Sequence, residues 1–125
     1  MSENEHLTKV EAVTEAALDR KAEDIVALDV RKLTPFTDTF IIATGTSDRH
    51  ARSIADSITE AMAKRGEKPR GTEGHKEGRW VLIDLDDVIV HVFQDEVRRN
   101  YDLERLWSDA PALDLAGGAA WTAAQ

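Results

Sequence analysis

Residues 80–93 read Trp80-Val81-Leu82-Ile83-Asp84-Leu85-Asp86-Asp87-Val88-Ile89-Val90-His91-Val92-Phe93, and this stretch decides the fold. Two β-branched runs flank a tight turn at Asp86-Asp87, the pattern of a hairpin. With Leu85 facing Val88, the register sets Ile83 opposite Val90 and Val81 opposite Val92. Strand side chains alternate, so those six aliphatic groups share one face. The other face carries Trp80 opposite Phe93, Leu82 opposite His91 and Asp84 opposite Ile89. One face is therefore pure core, while the second is apolar but interrupted by an acid, an imidazole and an indole. A mixed face of this kind is either roofed with its polar groups paired or left open for a partner. The functional reading turns on which.

Upstream, Asp48–Arg65 is the clearest helix, with Ala51, Ile54, Ala55, Ile58, Ala61 and Met62 at steps of three and four. Ser47 suits its N-cap and Gly66 the residue past its end. Thr39–Thr44, TFIIAT, reads as a strand buried on both faces, and Asp24–Val30 as a shorter strand before it. Thr8 and Glu11 fit a capping box for a first helix running to about Lys21, stapled by Leu7 and Ala12, with Val10, Val13, Ala17 and Leu18 inward. Residues 1–6 are expected to fray. A short strand is expected near Arg70-Gly71-Thr72. Downstream, Asp95–Trp107 reads as a last helical region with a Leu103, Leu106 and Trp107 stripe. Ser108–Gln125 is Ala/Gly-rich and aperiodic, and reads as a disordered tail in which Trp121 is a stray aromatic or a weak anchor. The order α-β-β-α-(β)-β-β-α implies an α/β fold, a mixed β-sheet flanked by helices.

The chain has 125 residues, enough for one domain with one core. Its 24 acidic against 16 basic side chains give a net charge of −8. That repels phosphate backbones and favours a basic partner, such as a basic protein, over nucleic acid. The absence of cysteine excludes disulfides and thiol catalysis. No secretory h-region opens the sequence and no apolar run is long enough to span a bilayer, so a soluble, cytoplasmic protein is expected.

Asp84 and Asp86, two apart, invite a metal reading. With Gly45-Thr46-Ser47 holding phosphates before a helix, they suggest a metal-dependent nucleotidyltransferase. The plainer account is that Asp86 and Asp87 simply make the turn; no third acid and no glycine-rich cradle accompany them, and no metal or cofactor is expected. His91, diagonal to Asp84, is either an acid–base unit or, preferably, one half of a structural hydrogen bond. His50 and His75 have no ligand spacing and read as surface residues. Arg49, His50 and Arg52 oppose the dipole of their helix, which points to internal pairing or a partner. Trp80 against Phe93 is either core packing or an interface anchor. Arg98, Arg99 and Tyr101 edge such a site or cap the core.

Four linked runs carry a resemblance. Asp38–His50 (DTFIIATGTSDRH), Trp80–Asp84 (WVLID), Val88–Phe93 (VIVHVF) and Tyr101–Trp107 (YDLERLW) resemble the ribosomal silencing factor family, also called RsfS, YbeB or Iojap. The likeness runs from about Leu7 to Trp107, so the domain is expected at 1–107 and the tail at 108–125. It implies a nucleotidyltransferase-like topology without a full catalytic set, and a non-enzymatic translation regulator. Such proteins bind large-subunit ribosomal protein fourteen, block docking of the small subunit and are often homodimers when free. Trp80 and Leu85 are carried over as partner contacts, with Leu85 expected to be exposed at the hairpin edge. Arg79, Asp84, Asp87, His91 and Tyr101 complete the expected partner-binding set. One departure is Asp86, where many members carry glycine. A module that only dimerises through the mixed face is the remaining alternative.

Overall fold

The computed structural model describes residues 3–113. The hairpin forms in the expected register: β4 (Trp80–Asp84) pairs antiparallel with β5 (Val88–Gln94), Trp80 opposite Phe93 and Asp84 opposite Ile89. β5 then lies parallel to β2 (Thr39–Gly45), from Thr39 beside Val88 to Gly45 beside Gln94. β1 (Glu23–Asp29) pairs antiparallel with β2, and β3 (Gly71–Glu73) with β4, giving a mixed sheet of order β1-β2-β5-β4-β3. All seven residues of β2 are buried, as its continuous apolar run requires.

Two helices, α1 (Glu3–Asp19) and α2 (Asp48–Lys64), cover the aliphatic face of the sheet. Val10, Val13 and Ala17 meet Ile54, Ile58 and Met62 over Val81, Ile83, Val88, Val90 and Val92. Ser47 caps α2 by accepting from the His50 N–H, and Gly66 follows it at φ 79°.

Three boundaries differ from the sequence reading. First, α1 begins at Glu3, so Thr8 is not its cap: the Thr8 hydroxyl donates to the Asn4 carbonyl inside the helix. His6, expected to fray, is 7% exposed. Contacts from His6 and Lys9 to Asp87 extend the helix past the local capping signal.

Second, residues 95–107 do not form one helix. Asp102, at φ 47°, separates α3 (Asp95–Tyr101) from α4 (Leu103–Leu106). The Arg98 guanidinium, 8% exposed, stitches the break by pairing with Glu104 (2.9 Å) while donating to Asp24 O and Thr44 Oγ1. Leu103 and Trp107 pack against the sheet, but Leu106, expected in the same stripe, is 74% exposed because the break rotates it outward.

Third, order does not stop at Trp107. The Asp29 N–H donates to Pro111 O and the Leu113 N–H to Ala27 O, so residues 111–113 run along the free edge of β1. Leu113 packs on the helix-covered core and Ala112 on the opposite cluster, the alternation of a strand. The segment read as tail is thus part of the fold as far as Leu113. Residues 114–125, with Trp121, lie outside the described residues.

Candidate functional site

The mixed face divides in two. Its β1–β2 half is roofed by α3 and residues 103–112: Val97, Leu103, Trp107, Ala110 and Ala112 pack on Val26, Leu28, Phe40, Ile42 and Phe93. Trp107 stands edge-on to Phe40 with ring centres 4.9 Å apart. Among the described residues its β4 half has no such cover: Trp80, Leu82, Asp84 and Ile89 are all half-buried, and β3 beyond them is exposed along its length.

Trp80 lies at the border between the halves. Its ring contacts Phe93 (4.8 Å between centres) and is overlaid by Tyr101 (4.7 Å), itself 56% exposed. The indole N–H donates to His91 Nδ1 at 3.1 Å. An indole nitrogen can only donate, so Nδ1 is the bare nitrogen and the neutral ring carries its proton on Nε2. That Nε2 is buried with no partner among the described residues. Burial pushes the His91 pKa down to about 4, which keeps the ring neutral. The expected His91–Asp84 bond is absent because the indole reaches the imidazole first; Asp84 instead accepts from the Asp86 N–H in the turn. At 5% exposure His91 lies beneath this surface.

The turn is built from the α1 side. Asp87, expected at a partner surface, points back: one oxygen takes the Lys9 ammonium (2.5 Å), the other His6 Nδ1 (3.0 Å). Lys9, 3% exposed, also donates to Leu85 O and pairs with Glu67. Burial alone would lower the Lys9 pKa, but Asp87 and Glu67 hold it above its ordinary 10.5. Burial would likewise raise that of Asp87, but Lys9 and His6 hold it below its ordinary 3.8. Asp86 adopts φ 74°, the backbone region that glycine favours and Asp tolerates, and its exposed carboxylate meets Arg70 at 2.7 Å.

Leu85 is not edge-exposed as expected. It is 3% exposed and belongs to the helix-covered core, because its side chain continues the Val81–Ile83 series. Of the expected contact set, Arg79 and Tyr101 are exposed and Trp80 and Asp84 half-buried, whereas Leu85 and His91 are buried and Asp87 is engaged.

The nucleotidyltransferase geometry does not assemble. Asp86 sits in the turn with Arg70, so it does not share the face of Asp84. In Gly45-Thr46-Ser47, the Thr46 N–H donates to His50 Nδ1 and Ser47 Oγ caps α2, so both groups are occupied. Gly45 itself is required by close packing: a Cβ there would stand 2.9 Å from Ala51 N. His50 is more than a surface residue, since its Nε2 bonds Arg20 O at 2.6 Å and ties the loop to the end of α1. Arg52 donates to Lys76 O, an internal use of a cation that opposes its helix dipole. Sequence reasoning missed Lys9 and His6 altogether.

A family model described as ribosomal silencing factor during starvation matches residues 3–125. The chain belongs to this family. Among curated relatives, the Ribosomal silencing factor RsfS of Bacillus subtilis is 45% identical over 100 residues, 80% of this chain and 85% of that protein. That of Chromobacterium violaceum is 40% identical over 110 residues, 87% and 90% respectively. A crystal structure of a Chromobacterium violaceum protein superposes with a TM-score of 0.81 at 39% identity, covering 96% of this chain and 97% of that one. The family match extends past Trp107, where the resemblance in the sequence ends, in keeping with the backbone bonds of residues 111–113 along β1. The family description is that of a regulatory factor and names no reaction. No helix among the described residues is long and apolar enough to cross a membrane.

Proposed function

We propose that this chain silences translation by docking on the large ribosomal subunit through the open half of the mixed face. The partner we propose is large-subunit ribosomal protein fourteen, and the mechanism is steric: the occupied surface is no longer available to the small subunit. The observation that carries this reading is the Trp80–Tyr101 pair, an aromatic step left accessible beside half-buried Leu82 and Ile89 and edged by Asp84 and Arg79. Rigid aromatics on a partly apolar surface are typical binding hot spots, and a net charge of −8 suits a basic protein face. Leu85, His91 and Asp87 act behind this surface, as its floor and its turn. The free chain is proposed to be a cytoplasmic homodimer.

The test is co-sedimentation with purified large subunits and with joined ribosomes. Binding is expected to the former and not the latter. Trp80→Ala and Tyr101→Ala, each checked for folding by circular dichroism, should each weaken binding, Trp80→Ala by about 2 kcal/mol or more if it is a hot spot. Folded variants that bind as the parent does would remove the aromatic step from the site; failure of the parent to bind large subunits would remove the reading itself.

A further inference from the structure

Where α1 crosses the sheet end, one imidazole and two carboxylates converge. A ring nitrogen of His6, an oxygen of Asp38 and an oxygen of Asp87 all lie within 4.8 Å of one another, and Nδ1 is the nitrogen that faces Asp87. We propose that these three atoms bind a divalent transition-metal ion, with Zn2+ as the best fit. The site is separate from the aromatic step and does not depend on its function.

Three features support it. The His6 Nδ1–Asp87 Oδ2 separation is 3.0 Å, close to that of two ligands on an ion with bonds of about 2.0–2.2 Å, and an Asp38 oxygen belongs to the same group of ligand atoms. His6 is also oriented for the task. Its other nitrogen, Nε2, lies 2.7 Å from Thr39 Oγ1, which is 1% exposed, and metal-binding imidazoles are regularly held through their second nitrogen in this way.

Local charge favours a dication. Asp38 and Asp87 bring two carboxylates to this point, while Lys9 shares its ammonium between Asp87 and Glu67, and Glu67 also meets the Arg65 guanidinium. Lys9 does not take the ligand atom: it holds Oδ1 of Asp87 and leaves Oδ2 to His6.

In the metal-free chain Nδ1–H donates to Asp87, since a carboxylate only accepts. A bound ion would take the Nδ1 lone pair, with a ring proton on Nε2 donating to Thr39 Oγ1. An imidazole among the ligands selects Zn2+ over Mg2+.

Isothermal titration of the tag-free full chain with zinc chloride and magnesium chloride tests this. The expected result is one saturable Zn2+ site per chain and much weaker Mg2+ binding. Thr39→Val should weaken Zn2+ by roughly 10- to 100-fold, and Asp38→Asn at least as much while leaving the His6–Asp87–Lys9 pairs untouched. A double His50→Gln, His75→Gln variant should bind as the parent does. Nitrogen NMR of the parent should show the His6 ring signals move on Zn2+ addition, a reading independent of any variant. Absence of saturable Zn2+ binding, equal affinity for Mg2+, full affinity in folded Asp38→Asn, or loss of binding in the His50/His75 variant would each overturn the proposal.

Discussion

On the helix side of the sheet, Val81, Ile83, Leu85, Val88, Val90 and Val92 are all 3% exposed or less. Across the sheet, the same two strands present Trp80, Leu82, Asp84 and Ile89 half-buried, and only His91 and Phe93 are closed. The hairpin thus puts apolar side chains on both sides, unbroken on one and interrupted by Asp84 and His91 on the other, but α1 and α2 seal the first while residues 95–112 roof only half of the second. The difference lies in the cover: two long helices reach across the whole sheet, whereas the chain after Gln94 breaks at Asp102 and follows β1 instead of crossing β4. Among the described residues, that route leaves Leu82 and Ile89 only half-buried.

The contrast should be visible in stability. Ile83→Ala, on the sealed side, should cost about 2–5 kcal/mol in urea unfolding, because it opens a cavity among fixed neighbours. Leu82→Ala, next to it in sequence and facing the open side, should cost well under half of that. Equal costs would mean that both sides are equally packed.

Breaking the cluster that joins the sealed side to the turn should come next. Lys9→Met leaves Asp87 and Glu67 without their ammonium and should lose about 3 kcal/mol, as is usual when one partner of a buried pair is removed. A loss below about 1 kcal/mol would show that His6 alone satisfies Asp87.

The roofed half makes a pH prediction. The His91 pKa is about 4 in the fold and near 6.5 when unfolded, so between these values the unfolded chain binds the extra proton. The stability that neutral His91 contributes is therefore complete above pH 6.5 and is lost as pH falls towards 4, by about 3 kcal/mol in all. Asp87, whose pKa is depressed, contributes stability that is lost only below its ordinary 3.8, a separate and more acid window. Urea melts across this range should show the His91 slope, and His91→Gln should flatten it. A parent without that slope would place the imidazole in contact with water.

The smallest effect belongs to the turn. Asp86→Gly relieves a left-handed backbone but frees the unfolded chain and removes an exposed pair with Arg70. The net change should favour folding by less than about 1 kcal/mol in the same melts; a loss would mean that the Arg70 pair outweighs the strain.

Much of the fold was legible because alternation and helical spacing are local signals. The hairpin register, β2 and both ends of α2 follow from residues within a few positions of one another. The start of α1 was not legible from its capping box, because the deciding contacts come from Asp87, far along the chain. A signal was present nonetheless: His6 and Lys9 precede Val10, Val13 and Ala17 at steps of one to four, on the same buried face. Polar residues in an inward stripe mark buried pairing; expecting residues 1–6 to fray and giving Lys9 no role passed over it. Residues 108–113 were lost for a related reason: a segment that only edges a sheet, as residues 111–113 do along β1, needs backbone groups more than a hydrophobic pattern. The exposure of Trp80 was an even choice in the sequence, since it depends on where the chain after Tyr101 travels.

The parallel pairing of β2 with β5 has a consequence for how the chain comes into being. Thr39 finds its neighbour in Val88, and the intervening α2, β3 and β4 must be made before the two can meet. Emerging during synthesis, the first helix–strand–strand–helix half has an unfilled slot where its central strand needs a second companion. Assembly must wait for that distant companion, which makes closure of the sheet a late and comparatively slow event for so small a protein.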